Sequence, residues 1–164
     1  MRTVYLSLGS NLGDRAGNIA RALAALGKSG VRIVRESSFY ETEPVDVQGG
    51  GWFLNCVAEG ETELMPRQLL RVLLVVERSL GRRRSSAPGP KESRTIDIDI
   101  LMYGTSTVRL PELEIPHPRM AERRFVLVPF AEIAPEVRHP LLRETIADLL
   151  AATPDRSQVR LWRR

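Results

Sequence analysis

One cysteine, two histidines and 5% aromatic residues are thin supplies for a chain of 164 residues. A lone Cys56 excludes a disulfide framework and a cysteine-rich zinc site. With only His117 and His139 beside it, a transition-metal centre is not expected. The few aromatic rings, and the lack of a basic–Gly–aromatic stacking signature, argue against a sheet that stacks RNA bases. No apolar run approaches the roughly 18–20 residues of a membrane span. The opening MRTVYLSLGSN alternates after a single charge, without the apolar stretch of a signal peptide. One thiol and no export signal make the cytoplasm the expected location. No repeat, long linker or low-complexity tract interrupts the chain.

What is present suits one ordinary domain over residues 1–164, with no room for a second catalytic one. Apolar residues make up 43% and charged residues 27%, and the net charge is +4. Of the 24 basic residues, all but Lys28 and Lys91 are arginine. Base composition of the genome accounts for much of such an excess, but its placement is informative. Arg78, Arg82, Arg83, Arg84, Lys91 and Arg94 crowd one stretch that holds a single acid, Glu92. Arginine's planar fork matches phosphate oxygens, and such a local field attracts them.

Residues 3–9 alternate and predict a strand that Gly9, Ser10 and Asn11 break. Asn11 to Asp14 can cap a helix over about 15–29, with Ile19, Ala22, Leu23 and Leu26 at helical spacing. Residues 31–39 read as a second strand, 42–51 as a loop and 52–60 as a third strand. Pro66 suits the first turn of a helix that runs to about Leu80 and ends at Gly81. Residues 82–94, broken by Pro88-Gly89-Pro90, read as a long exposed loop expected to be mobile. Residues 95–102 form the clearest strand. Prolines then punctuate an irregular stretch of short helices, a last helix falls near 146–152, and a basic tail follows. The class is α+β, with the ferredoxin-like β-α-β-β-α-β order. That order predicts an antiparallel sheet with helices packed on one face and an irregular helical C-terminal third.

The sharpest chemical feature is Thr95-Ile96-Asp97-Ile98-Asp99-Ile100. Residues two apart in a strand share a face, so Asp97 and Asp99 project together while the isoleucines enter a core. Like charges this close are unfavourable unless a cation sits between or beside them. Paired carboxylates of this kind bind hard divalent cations in phosphoryl-transfer sites. The arginine-rich loop leads directly into them, as a metal–nucleotide site requires. His117 is mounted between Pro116 and Pro118. Gly27-Lys28-Ser29 is no phosphate loop, because position 22 is Ala and the segment follows a helix. Gly49-Gly50-Gly51 is no dinucleotide fingerprint, and no nucleophile elbow is present.

Together these residues resemble the 6-hydroxymethyl-7,8-dihydropterin pyrophosphokinase family of the folate pathway. The resemblance runs from Tyr5 to about Pro135. It is carried by Gly9-Ser10-Asn11, the Ser38-to-Pro44 run, Phe53-Leu54-Asn55, Glu77 to Gly81-Arg82, Arg94 to Leu101, Pro116 to Met120, and Arg123 to Pro129. It implies Mg-dependent transfer of pyrophosphate from ATP to the pterin's hydroxymethyl group, with release of AMP. It implies that Asp97 and Asp99 bind two Mg²⁺ ions and act in catalysis with Arg82, Arg84 and Arg94. Arg82, Arg84, Glu77, Ile100, His117 and Arg123 match ATP-binding positions. Thr42, Pro44, Val45, Phe53, Asn55 and Phe125 match the pterin pocket. Phe53 and Phe125 would stack on the flat ring, and Asn55 would read its edge. The implied partners are small molecules, with no nucleic acid or membrane, and a monomer is expected.

Three departures stand out. The family's usual Arg-Trp-Gly-Pro-Arg run is replaced by a Trp-less stretch from Ser86 to Arg94. Pro118 follows His117 where some members have Tyr, and Phe53 replaces a common Tyr. The departures bear on how the loop closes over the site. Competing readings are a nucleic-acid-binding ferredoxin-like module, another Mg-dependent phosphoryl or nucleotidyl transferase, and a catalytically idle relative.

Overall fold

The computed structural model describes residues 1–44, 51–81 and 95–163, together with the backbone at 47–48 and 91–92. The chain runs β1 (Arg2–Ser10), α1 (Arg15–Gly27), β2 (Val31–Glu36), β3 (Tyr40–Thr42), β4 (Val47–Gln48) and β5 (Phe53–Thr62). It continues α2 (Pro66–Ser79), β6 (Lys91–Glu92), β7 (Asp97–Tyr103), β8 (Val108–Leu110) and β9 (Leu113–Ile115). A 3₁₀ turn (Met120–Glu122), α3 (Arg124–Ile133), α4 (Ile146–Ala152) and β10 (Val159–Leu161) complete it.

Local chemistry sets the boundaries. Asp14 caps α1, its carboxylate accepting the Gly17 N–H at 3.1 Å. Pro66 opens α2, and the Gln68 side chain accepts the Met65 N–H at 2.8 Å. Gly81, with φ of +88°, follows the end of α2.

The main sheet has the order β10-β3-β5-β1-β7, with β2 also paired to β5. Its pairings are antiparallel. Reduced to the strands of the repeat, β7-β1-β5-β2 is the ferredoxin-like order. The strand expected over 31–39 stops at Glu36, and after a split at 37–39 the chain resumes as β3 from Tyr40. At the split, Ser37 donates its N–H to Val57 O at 2.9 Å and accepts the Val57 N–H on its hydroxyl at 3.0 Å. The basic tail forms β10 against β3. The short β4 and β6 pair in parallel.

Alternation sorts the strands into two cores. Val4, Leu6, Leu8, Leu54, Cys56, Ile98 and Ile100 face α1 and α2, which supply Ile19, Leu26, Leu69 and Leu73. These are the helices of the repeat, on one face as expected. Tyr5, Val57, Leu101 and Met102 face α3 and α4, which supply Val126, Leu127, Phe130 and Leu149. The C-terminal third, irregular in sequence, thus covers part of the second face. A β-bulge at Leu101 makes this possible, because Leu6 pairs with Ile100 while Tyr5 pairs with Met102. Leu101 and Met102 therefore enter the same core, and Tyr103 returns to the other.

Candidate active site

The second sheet face has two halves. One end is apolar and lies under α3. The other carries Ser7 and Gly9 from β1, Asn55 from β5, and Asp97 and Asp99 from β7. The register aligns these as rows: Asp97 opposite Gly9 opposite Asn55, and Asp99 opposite Ser7 opposite Val57. Asp97 and Asp99 are half-buried, between buried Ile96, Ile98 and Ile100, as the sequence pattern requires. Two strand spacings separate Asp97 from Asn55, roughly 10 Å across the sheet. Glycine stands between them.

Gly9 was expected to end its strand. It lies inside β1 instead, and the reason is close approach. A Cβ there would collide with Asn55 Oδ1 and come within 3.6 Å of the Phe53 ring. Asn55 is buried and donates from Nδ2 to Thr42 Oγ1 at 2.7 Å. Thr42 pairs with Phe53 across β3 and β5. Thr42, Phe53 and Asn55 therefore form one cluster, with Pro44 two residues beyond Thr42.

On the other side of the acids lies β7's outer edge. His117 donates its N–H to Leu101 O at 3.0 Å, and its Nδ1 accepts the Arg119 N–H at 3.1 Å. The latter bond assigns the ring proton to Nε2. Met120 and Arg123 continue the chain from His117 by successive turn bonds. Arg123 precedes α3, with its guanidinium 5.5 Å from the Phe125 ring centroid. One expected nucleotide contact and one expected pterin contact are thus coupled.

Two expected nucleotide residues sit differently from the rest. Glu77 is buried on α2, behind the sheet, where Oε2 accepts the Ile98 N–H at 2.8 Å. It grips the strand between the two aspartates. Ile100's side chain is buried in the first core. Ladder alternation turns its backbone, like that of Ile98, toward the outer edge of β7. Val45, Arg82, Arg84 and Arg94 lie outside the described residues, as does most of the 82–94 loop.

Among the described residues no three His, Cys, Asp or Glu side chains gather as a metal cage. Two adjacent carboxylates nevertheless suit Mg²⁺, which keeps several waters and binds substrate phosphates alongside one or two protein carboxylates. Sequence reasoning did not single out Ser7, which stands opposite Asp99. It also assigned Gly9 only a turn. A glycine among β-forming residues is itself a signal of close backbone approach.

A profile of 7,8-dihydro-6-hydroxymethylpterin-pyrophosphokinase (HPPK) matches residues 5–135. The chain belongs to the HPPK family. It is 45% identical over 141 residues to the 2-amino-4-hydroxy-6-hydroxymethyldihydropteridine pyrophosphokinase of Porphyromonas gingivalis, covering 85% of this chain and 95% of that one. The Bacillus subtilis protein of the same name is 39% identical over 160 residues, covering 97% of this chain and 89% of that one. The fold matches a crystal structure of Plasmodium falciparum HPPK-DHPS with a TM-score of 0.70 at 18% identity. That match covers 92% of this chain and 43% of the longer one. The chain is therefore a pyrophosphokinase, with ATP as a substrate. Among the described residues, no helix is long and apolar enough to cross a membrane.

Proposed function

We propose that this chain transfers pyrophosphate from ATP to the hydroxymethyl group of 6-hydroxymethyl-7,8-dihydropterin in folate biosynthesis, with Asp97 and Asp99 holding two Mg²⁺ ions. The observation that carries this reading is the Asp97–Gly9–Asn55 row. In this reading the acids stand between the pterin, taken by β3 and β5, and the nucleotide, taken along β7.

Thr42 fixes the Asn55 amide, so its remaining polar atoms can read the pterin edge. Phe53 and Phe125 supply aromatic faces for the ring. His117 Nε2 and Arg123 supply donors for nucleotide phosphates, and Ile100's backbone lies at the same edge. By the family resemblance, Arg82, Arg84 and Arg94 would serve the nucleotide phosphates and Val45 the pterin. When bound, Mg²⁺ neutralises phosphate charge and lowers the pKa of the attacking hydroxyl. The hydroxymethyl oxygen bonds to the β-phosphorus as the bond from that phosphorus to the α–β bridging oxygen breaks. AMP leaves and the hydroxyl proton passes to water. The residues of the site act by positioning and charge neutralisation more than by strong base catalysis. The unit is a single domain over residues 1–164, acting as a cytoplasmic monomer.

The test is incubation with ATP, Mg²⁺ and the pterin, followed by identification of the nucleotide. AMP formed only with the pterin present is expected. Asp97→Ala should lower its rate at least about 100-fold, the scale of losing one transition-state charge contact. ADP as the product would overturn the reading.

A further inference from the structure

The back of the pterin pocket holds a network that the reaction itself leaves unused. Strand alternation puts Thr42 and Phe53 on the site face. It puts Glu41, paired with buried Leu54, on the face of α1. Arg160 of β10 stands directly opposite Glu41. Glu41 receives Arg15 Nη2 at 2.8 Å and Arg160 Nη2 and Nε at 2.7 and 3.1 Å. The two guanidinium groups hold its carboxyl below the usual carboxylate range.

Both arginines then reach the same residue. Arg15 Nη1 donates to Trp52 O at 2.9 Å. The Arg160 guanidinium lies 4.4 Å from the Trp52 ring centroid. One residue earlier, Asn11 Nδ2 donates to Gly51 O at 3.4 Å. Two successive carbonyls and one ring are thus held just before Phe53 enters β5.

We propose that Arg160 is a positioning residue for the pterin pocket. Through its stack on Trp52 and its shared Glu41, it fixes the entry of β5 and the Phe53 ring that follows. The inference rests on the pyrophosphokinase reading above. Phe53 would touch the pterin equally in ground and transition states, so its displacement weakens binding without slowing chemistry. The nucleotide side lies along β7, at the opposite edge of the sheet, and is left intact.

Arg160→Gln should raise the pterin KM roughly three- to tenfold, the range of one cation–π contact plus one ion pair. Its kcat should stay within about twofold, and the ATP KM should not move. Arg160→Lys, which keeps a cation over the ring, should fall between the two. Arg32→Gln is the charge control, since Arg32 pairs with Glu61 near the far end of β5. In a Trp162→Phe background Trp52 is the sole tryptophan. There Arg160→Gln should shift its emission to the red and raise its quenching by acrylamide. An unchanged pterin KM, an equal rise in Arg32→Gln, or a parallel rise in the ATP KM would each overturn the proposal. If no variant and not the parent makes AMP, the pyrophosphokinase reading fails. Trp52 emission still judges the brace in that case, and an unchanged spectrum overturns it.

Discussion

A methyl group at position 9 would press against the side-chain oxygen of Asn55 and approach the Phe53 ring. Gly9→Ala should therefore raise the pterin KM about tenfold or more, because a mispositioned amide loses its hydrogen bonds to the ligand edge. ATP binding, measured by calorimetry, should be unchanged. The aspartates were legible because alternating isoleucines left them only one face to occupy. Gly9 was less legible. Its sequence context, Gly-Ser-Asn, reads as a turn, and only the register shows that Asn55 leans over it. Glu77 shows the same limit. The resemblance implies a nucleotide role for it, and the structure adds that its carboxylate accepts a strand N–H behind the sheet. Glu77→Ala leaves that donor buried and unmatched, and should cost about 1–3 kcal/mol in denaturant melts. Glu77→Gln keeps an acceptor and should cost less.

The elements with strong periodicity, such as α1, α2 and β7, were readable because burial selects a face. Strand β10 was not, because the three alternating residues Val159-Arg160-Leu161 are too short a run to mark a strand within a basic tail. Polar contacts dock it instead. Glu41 pairs with Arg160, and Asp155 accepts the N–H groups of Arg124 at 2.8 Å and Ser157 at 2.9 Å. Burial tends to raise the Asp155 pKa, but those hydrogen bonds and the Arg124 charge outweigh it and hold the group low. Arg160 and Arg15 hold Glu41 low as well. Both folded-state pKa values lie below their unfolded values. Their stabilisation is therefore complete above the unfolded carboxylate range, roughly pH 4, and is lost as pH falls through the depressed values. Hydrogen exchange should show residues 156–163 losing protection at acid pH before β1 and β5 do. Asp155→Asn should remove part of that acid sensitivity.

For the molecule as a whole, Cys56 offers a built-in reporter. Its thiol is fully buried in β5, and burial pushes its pKa up. Reaction with a disulfide reagent at neutral pH should wait for opening of the central strands. Labelling should be at least about a thousandfold slower in native buffer than in denaturant, given ordinary domain stability. Uniform fast labelling would show that the sheet opens locally. The same central strands carry the site at one end and the second core at the other. The bulge in β7 lets both live on one strand, because it acts as a shift of reading frame. On one side of Leu101 the alternation spells acids toward the proposed site, and on the other it spells Tyr103 into the first core, where its hydroxyl bonds Leu64 O at 2.6 Å. Straightening the bulge with every residue kept would merge the two frames into one. The strand would then have to choose between a catalyst with Tyr103 turned out of its core and a well-filled core with both aspartates inside it.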